Sequence, residues 1–381
     1  MPVFIYIVFI FLFAYGILIN YYLRSWKSIP VFNIDPSDYQ SNQTRVCIIV
    51  PARNEEKNIS NCLNSLLQQS YPPQLIEIIV VNDHSTDATE SIVRDFNSSS
   101  IRLINLRDHM EGSASVSYKK KSIDIAIGQS SGEFIITTDA DCIAPPMWIQ
   151  YMVNFYSRNN AAFIAAPVKI VENKSLLSVF QTLDFITLQG ITGASVHKKI
   201  YSMCNGANLG YEKKAFYAVD GFKGIDSIAS GDDMLLMQKI FKKFPSGVFF
   251  LKSRAAVVST QAVNFWKSFL HQRIRWASKA DQYEDHRIFG TLLFVYVFNL
   301  LLLTVFVTGF WNAWWFLYFL ILIFVKTIAE FPFVYSVADF FGQKKLMVYF
   351  FFLQPLHILY TVIVGFLGKF GRYEWKNRKL H

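Results

Sequence analysis

Two aspartates, Asp139 and Asp141, stand one residue apart at the end of the apolar stretch GEFIITTDADC. The residues before them, 134–138, predict a buried β-strand. Open α/β sheets bind ligands at the carboxyl ends of their strands, and carboxylate oxygens suit Mg²⁺ or Mn²⁺ held on a diphosphate. The pair is therefore a candidate metal site, although an isolated Asp-x-Asp is more often part of a solvated loop.

Three further aspartates can bind a nucleobase or accept a proton. Asp83 follows the apolar run IEIIVV and can accept a hydrogen bond from the imide N–H of a nucleobase, although NDHSTD is also ordinary turn chemistry. Asp232 and Asp233 precede the helix-like run MLLMQKIF. Adjacent carboxylates repel each other, which raises the pKa of one and suits it to act as a general base. The alternative is a helix N-cap, and both roles fit together if Asp232 caps and Asp233 is the base.

Basic and aromatic side chains supply groups that can bind anions and flat rings. Lys120 belongs to a run of lysines at the start of a predicted helix and can face phosphate. In the segment HQRIRW, Arg275 offers a planar charged fork for phosphate, Gln272 can hydrogen-bond to it, and Trp276 offers a flat face for a sugar ring. The competing interpretation of this segment is an amphipathic helix on a membrane surface.

Alternating strand and helix patterns in residues 46–141 position these side chains. Strand-like runs at residues 46–50, 76–81, 101–106 and 134–138 are short and bounded by turn residues, and helix-like segments lie between them. This alternation predicts a doubly wound, mostly parallel sheet. The strand ends then meet at one edge and bring together the candidates for binding the nucleotide and its diphosphate, which are Pro51, Arg53, Glu55, Asp83, Asp139 and Asp141.

Apolar runs at both ends of the chain predict membrane helices. Residues 1–23 are almost uninterrupted apolar residues followed by Arg24 and Lys27, so we expect an anchor whose C-terminal end faces the cytoplasm. Further candidate spans cover residues 289–310, 314–337 and 346–367.

The basic C-terminal tail conflicts with three full spans after a cytoplasmic domain. Three spans would place the tail outside, whereas the positive-inside rule places it inside. We therefore expect one segment to be re-entrant or interfacial, and the first suspect is the one that carries Lys326 and Glu330.

Charge and cysteine content agree with a protein at the cytoplasmic face of the cell (inner) membrane. The net charge of +9 fits basic residues that flank membrane segments, and the chain has no nucleic-acid motif beside them. The four cysteines show no metal-ligand spacing, which indicates reduced thiols of a cytoplasmic domain.

Several ordered segments resemble one enzyme family. VCIIVPARNEEKNI, EIIVVNDHSTDAT and GEFIITTDADC resemble the nucleotide-sugar-binding half of family 2 glycosyltransferases. Downstream, SGDDMLL resembles the family's acidic motif that carries the base, and HQRIRW is similar to the Q-x-x-R-W motif of its membrane-bound members. CNGANLGYEKKAF resembles the acceptor-side segment before the base.

This resemblance implies an A-type α/β domain with a doubly wound mixed sheet, flanked by N-terminal and C-terminal transmembrane helices. It implies inverting transfer from a nucleotide-activated sugar, most often UDP-linked, with Mg²⁺ or Mn²⁺ as cofactor and Asp233 as the catalytic base. It also implies an acceptor-binding group, which we assign to Cys204, Asn205, Gly206, Asp232, Gln272 and Trp276.

The expected organisation has six parts. They are a transmembrane anchor, a linker, a cytoplasmic glycosyltransferase domain, an amphipathic interfacial segment, transmembrane or re-entrant helices and a basic tail, at residues 1–23, 24–45, 46–258, 259–287, 288–368 and 369–381.

A membrane lipid is the acceptor that the sequence favours, because the membrane segments and the basic tail resemble those of glycolipid-forming members. The first alternative is a processive polysaccharide synthase, which usually needs more spans. The second is a non-catalytic membrane scaffold with a degenerate transferase domain, which the joint presence of the acidic residues and QRIRW disfavours.

Overall fold

The structure is a computed structural model of the 381-residue chain, and it describes residues 2–35, 43–110, 117–200, 203–228, 231–278, 285–371, 373–375 and 378–380. The chain forms two compact units. An α/β unit contains Pro30–Val171 and Met203–Gln261, and a helical unit contains Met1–Ile29, Glu172–Ser202 and Ala262–His381.

The α/β unit is built on a mixed sheet. Within the described residues, seven strands form this sheet in the order β3-β2-β1-β4-β7-β5-β8, and β6 pairs with β9 beside it. The bounds are β1 Val46–Ala52, β2 Ile76–Asn82, β3 Ile101–Asn105, β4 Phe134–Thr137, β5 Phe163–Ala165, β6 Val168–Val171, β7 Leu209–Glu212, β8 Val248–Phe250 and β9 Val258–Gln261.

Helices of the α/β unit connect these strands. Their bounds are α2 Ile59–Leu67, α3 Thr89–Asp95, α4 Tyr118–Gln129, α5 Trp148–Asn159, α7 Lys213–Ala218 and α8 Met234–Lys243. Strands β1 and β4 are almost completely buried, because helices cover a parallel sheet on both faces.

Parallel pairing joins the four strands that the sequence predicts. β1 lies between β2 and β4 and is parallel to both, with Ile49 opposite both Ile79 and Thr137. β7 runs antiparallel to β4 and β5, which makes the sheet mixed. The predicted doubly wound mixed sheet is confirmed.

The helical unit contains the long apolar helices. Their bounds are α1 Pro2–Ser28, α6 Leu176–His197, α9 Trp266–Ala277, α10 His286–Thr308, α11 Trp314–Phe340 and α12 Met347–Phe370. A short hairpin of β10 Tyr373–Trp375 and β11 Arg378–Leu380 follows α12. In the part of the chain that the structure describes, four helices are long and apolar enough to cross a membrane, namely α1, α10, α11 and the segment Lys344–Phe370 that contains α12.

Helix α6 differs from the expected domain boundaries. Residues 172–202 were expected inside the glycosyltransferase domain, but they belong to the helical unit. Almost all side chains of α6 are buried, and the helix packs against α1, α11 and α12. A helix that is apolar around most of its circumference needs neighbours on every side, and the membrane-type helices supply them.

Helix α11 carries Lys326 and Glu330, the two charged residues that make it the first suspect for a re-entrant or interfacial segment. It is continuous over 27 residues and includes Pro332. Lys326 Nζ lies 2.7 Å from Glu330 Oε1, and Gln354 of α12 bonds to both side chains at 2.8 Å. Tyr15 of α1 donates a hydrogen bond to Glu330. The charged residues are therefore paired among helices and do not require a break in α11. The re-entrant or interfacial placement of this segment stays a prediction.

Candidate active site

The ends of β1, β2 and β4 bring acidic and basic side chains to one edge of the sheet. In the register of the sheet, Ala52 lies opposite Asn82, and Thr137 lies opposite Ile49. The segments that begin at Arg53, Asp83 and Thr138 therefore leave the sheet at the same edge. This is the gathering that the strand pattern predicts.

Lys119 at the start of α4 connects two of the acidic segments. Its Nζ lies 2.7 Å from Asp139 Oδ1 and 3.3 Å from Asp232 Oδ2. Burial alone would lower the pKa of Lys119, but attraction to Asp139 and Asp232 outweighs it and raises that pKa above its ordinary value. Lys119 therefore carries a full positive charge at neutral pH.

Asp233 occupies the start of α8, next to the backbone of Gly206. Its Oδ1 accepts a hydrogen bond from the N–H of Met234 at 2.7 Å, and its Oδ2 accepts one from the N–H of Gly206 at 3.2 Å. Asp233 is therefore the N-cap of α8. The expected division of roles, with Asp232 as the cap, is wrong, because Asp232 faces Lys119 instead.

Gly206 allows the backbone to approach this cluster closely. A Cβ atom at this position would lie 3.2 Å from both Lys119 Nζ and Asp232 Oδ2. The carbonyl of Gly206 also accepts a hydrogen bond from Thr137 Oγ1 at the end of β4 at 3.1 Å. Any other residue would therefore crowd the Lys119–Asp232 contact.

Asp141 contacts Thr260 of β9 and its neighbour in the chain, Cys142. Its Oδ2 accepts a hydrogen bond from Thr260 Oγ1 at 3.3 Å, and its Oδ1 lies 3.4 Å from Cys142 Sγ. Burial, followed by the charges of Asp141 and Asp139, raises the pKa of the Cys142 thiol well above its ordinary value. The thiol therefore stays protonated and supplies no thiolate ligand.

The donor set around Asp139 and Asp141 suits a hard cation only in part. Two carboxylates one residue apart supply the oxygen ligands that Mg²⁺ or Mn²⁺ prefers. Over the described ranges, no group of three or more His, Cys, Asp or Glu side chains is arranged to hold a metal ion. These residues therefore fit a cation that a diphosphate shares with the protein, as is usual for Mg²⁺.

Asp83 lies at the end of β2 with an almost buried side chain. His84 Nδ1 lies 3.0 Å from Asp83 Oδ1. Arg53 Nη1 donates to the backbone carbonyl of Asp83 at 2.9 Å and lies 3.8 Å from its Oδ1. The carboxylate is therefore oriented by two basic side chains.

The other candidates, on β1 and in the connection between β1 and α2, have local structural contacts. Pro51 lies within β1, opposite Val81. Glu55 Oε2 accepts a hydrogen bond from Asn58 Nδ2 at 2.8 Å, and its backbone N–H donates to Thr89 Oγ1 at 2.7 Å. These bonds connect the start of α2 to the start of α3.

Lys120 is placed differently from its neighbour Lys119. Its side chain is buried, and its Nζ donates to the carbonyl oxygens of Ile225 at 2.7 Å and Ile228 at 2.6 Å. Of the lysines at this helix start, Lys119 is the one that the structure brings to Asp139. Helical geometry explains the difference, because residues i and i+1 point about 100° apart.

The segment Cys204–Gly206 precedes β7. Cys204 is half-buried, and Asn205 Oδ1 accepts a hydrogen bond from the N–H of Ala207 at 3.0 Å. Of these three residues, Gly206 has the described contacts with the acidic cluster. Their predicted acceptor role stays a prediction.

The QRIRW segment lies on α9, in the helical unit. Gln272 Oε1 accepts a hydrogen bond from Arg273 Nη1 at 3.1 Å. The guanidinium of Arg273 lies 4.1 Å from the ring centroid of Trp276 and forms an ion pair with Asp184 of α6 at 2.9 Å. Sequence reasoning missed Arg273 and Asp184, because their pairing depends on two segments about 90 residues apart. The predicted roles of Gln272, Arg275 and Trp276 stay predictions.

Comparison with protein-family models identifies two overlapping matches. The model described as "Glycosyl transferase family 2" matches residues 47–219, and the model described as "Glycosyl transferase family group 2" matches residues 134–366. The second match alone covers more than half of the 381-residue chain.

Curated relatives carry glycosyltransferase names. The chain is 26% identical over 270 residues to "Probable glycosyltransferase YdaM" of Bacillus subtilis (strain 168), covering 69% of this chain and 60% of that protein. It is 30% identical over 142 residues to "UDP-Glc:alpha-D-GlcNAc-diphosphoundecaprenol beta-1,3-glucosyltransferase WfgD" of Escherichia coli, covering 37% of this chain and 53% of the relative. The chain therefore spans 60% or less of the length of these two relatives.

One solved structure is similar over nearly the whole chain. It is "Mannosyltransferase PcManGT from Pyrobaculum calidifontis in complex with GDP-Man and Mn2+", with a TM-score of 0.56 and 18% identity, covering 96% of this chain and 98% of that one. At this level of identity, the similarity shows the shared fold.

Proposed function

Since this chain belongs to the family 2 glycosyltransferases, we propose that it transfers a sugar from a UDP-sugar to a membrane lipid at the cytoplasmic face, with inversion and with a divalent cation. The observation that carries the proposal is the cluster of Asp139, Asp232 and Asp233 around Lys119 and the backbone of Gly206. It combines groups for a diphosphate with groups for a proton transfer at one sheet edge.

Asp83 is the proposed recognition group for the nucleobase. Its carboxylate lies at the end of β2, where open α/β sheets bind ligands. Arg53 and His84 hold it in one orientation, so that it can accept the imide N–H of uracil without reorganisation. Pro51, Glu55, Lys120 and Arg275 stay predicted partners of the sugar diphosphate.

Asp139 and Asp141 are the proposed protein ligands of a Mg²⁺ or Mn²⁺ ion. When bound, such an ion neutralises the charge that develops on the leaving diphosphate. Lys119 Nζ donates a hydrogen bond to Asp139, so the ammonium group orients this proposed cation ligand. The similar mannosyltransferase was solved in complex with GDP-Man and Mn²⁺, which supports a divalent cation for this fold.

Asp233 is the proposed general base that accepts the proton of the acceptor hydroxyl. Two backbone N–H groups orient its carboxylate, whereas Asp232 faces the full positive charge of Lys119. The resemblance of SGDDMLL to the family's acidic motif supports Asp233 as the base. The contact with Lys119 assigns Asp232 to holding that side chain.

A lipid acceptor is supported by two observations. The same chain carries four helices, among the described residues, that are long and apolar enough to cross a membrane. A curated relative is named for transfer of glucose from UDP-Glc to alpha-D-GlcNAc-diphosphoundecaprenol.

Product extraction tests the whole proposal. Membranes that contain the chain are incubated with Mn²⁺ and each of a panel of radiolabelled nucleotide sugars, with membranes carrying Asp233→Asn as the matched control. We expect label in the organic phase for a UDP-sugar with the wild-type chain only. A high-molecular-weight aqueous polymer would support the polysaccharide synthase instead, and no product from any donor would support the scaffold.

A further inference from the structure

Lys119 occupies a central position that the predicted roles do not explain. It contacts Asp139, a proposed cation ligand, and Asp232, the neighbour of the proposed base. The side chains of Lys119, Asp139 and Asp232 are 23%, 37% and 12% exposed, so solvent ions reach the cluster. The Lys119 ammonium lies 2.7 Å from Asp139 Oδ1, which is one of the two carboxylate oxygens that a cation could bind.

Within this trio, one ammonium group contacts two carboxylates, those of Asp139 and Asp232. Gly206 leaves room for the Lys119 ammonium beside the backbone, because a Cβ at this position would lie 3.2 Å from its Nζ. If Lys119 left Asp139, its 3.3 Å contact with Asp232 would keep it nearby.

We propose that Lys119 is a built-in counter-ion that occupies Asp139 in the donor-free enzyme and makes binding of a divalent cation depend on the nucleotide diphosphate. This inference rests on the proposed function, in which Asp139 is a cation ligand. In the donor-free state Asp139 keeps its ammonium partner. In the presence of a diphosphate, Lys119 exchanges Asp139 for phosphate oxygens, and the Asp139 carboxylate becomes available to the cation.

Electrostatics explains why the diphosphate is required. A divalent cation on Asp139 without a diphosphate would lie close to the ammonium of Lys119, and like charges within about 4 Å repel strongly in a partly buried site. The negative diphosphate removes this repulsion because it attracts both groups. The two ligands therefore bind cooperatively, and their coupling is reciprocal.

Mn²⁺ binding without and with nucleotide tests the inference directly. The full chain in detergent micelles is titrated with Mn²⁺, and free Mn²⁺ is measured by electron paramagnetic resonance, in the absence and in the presence of UDP or GDP. The variant Lys119→Met removes the charge and keeps the length of the side chain. We expect it to bind Mn²⁺ alone on the order of tenfold or more tightly than the wild type, and to lose most of the nucleotide dependence.

Three further variants control the result. Lys121→Met removes an exposed lysine of the same helix and should leave Mn²⁺ binding unchanged. Lys119→Arg keeps the charge and should keep the nucleotide dependence. Adding Asp139→Asn to Lys119→Met should abolish the gain, because the gain requires the Asp139 carboxylate. Thermal unfolding of each variant checks that it is folded, and Mn²⁺ alone should stabilise Lys119→Met more than the wild type.

The outcomes separate the inference from the proposed function. If the wild type binds Mn²⁺ with nucleotide, but folded Lys119→Met binds Mn²⁺ alone no more tightly than the wild type, the counter-ion role is wrong and the proposed metal site stands. If the wild type does not bind Mn²⁺ even with UDP or GDP, the proposed metal site fails, and the inference fails with it. A gain in Lys119→Met that survives Asp139→Asn also overturns the inference.

Discussion

Each of the two units contains a lysine that contacts carboxylates. The two lysine clusters differ in solvent exposure and in the number of carboxylates that contact the lysine. Lys119 in the α/β unit faces two carboxylates that remain partly exposed. Lys326 in the helical unit is fully buried and faces one carboxylate, Glu330, that is 8% exposed and also bonded by Gln354 and Tyr15.

Because of this difference, the Lys119 cluster can exchange ligands, whereas the Lys326–Glu330 cluster holds helices together. Around Glu330, one positive and one negative charge cancel, and polar groups from α1 and α12 complete the hydrogen bonds. An ion pair closed in this way is costly to open in an apolar environment. The Lys119 cluster places one ammonium group against two partly exposed carboxylates, so a cation or a diphosphate can reach it.

The largest expected effect is on the chemistry of the α/β cluster. Asp233→Asn keeps the size of the side chain and removes the base, so transfer should fall on the order of 10²–10⁴-fold, the usual contribution of general base catalysis. UDP binding should change little, since Asp233 is not a proposed nucleotide ligand. Steady-state transfer and equilibrium UDP binding measure the two effects. Near-wild-type turnover in Asp233→Asn would show that the base is assigned to the wrong residue.

The next effect is on the stability of the helical cluster. Glu330→Gln leaves Lys326 without its charge partner and should destabilise the protein by about 3–5 kcal/mol, as removal of one member of a buried pair does. Thermal unfolding in detergent measures the change. The double variant Lys326→Met with Glu330→Gln should recover part of the loss. A single variant as stable as the wild type would show that the cluster is not needed to hold α1, α11 and α12 together.

A smaller effect is expected at the second proposed cation ligand. Asp141→Asn should weaken nucleotide binding in the presence of Mn²⁺ by about 10–100-fold, because the cation loses one of its two proposed carboxylate ligands. Binding in the presence of EDTA should change much less. Calorimetric titration with UDP under both conditions measures this difference. An equal loss with and without Mn²⁺ would assign Asp141 a structural role instead.

The smallest effect concerns the thiols beside the acidic turn. Burial, followed by the charges of Asp141 and Asp139, raises the pKa of both Cys62 and Cys142, so both stay protonated at pH 8. Iodoacetamide should therefore leave them unmodified in the native protein and label them after unfolding. Mass spectrometry of digested protein measures the labelling. Rapid native labelling would indicate that the acidic turn opens readily.

Much of the α/β unit is predictable from the sequence because its signals are local. Short apolar runs bounded by turn residues predicted the four parallel strands β1 to β4 within two residues at each end. The acidic residues at the strand ends followed from the rule that parallel strands share a carboxyl edge. The apolar composition of the terminal segments likewise predicted the long helices.

Other features depended on contacts between distant segments. Whether Lys119 or Lys120 reaches Asp139 depends on the rotation of α4 against β4 and on the loop around Ile225, which no local pattern encodes. The same holds for the N-cap of α8, since Asp232 and Asp233 are equally good caps by type and the position of Gly206 decides between them.

By itself, the sequence determined the strand and helix types, the acidic residues available at the sheet edge and the apolar segments suited to a membrane. The tertiary structure decided which of these groups meet. It placed α6 among the membrane-type helices, closed Lys326 and Glu330 into a balanced pair, and left Lys119 between Asp139 and Asp232. The physical reason is that hydrophobic periodicity is a property of neighbouring residues, whereas charge pairing in a folded protein depends on distances between segments far apart in the chain.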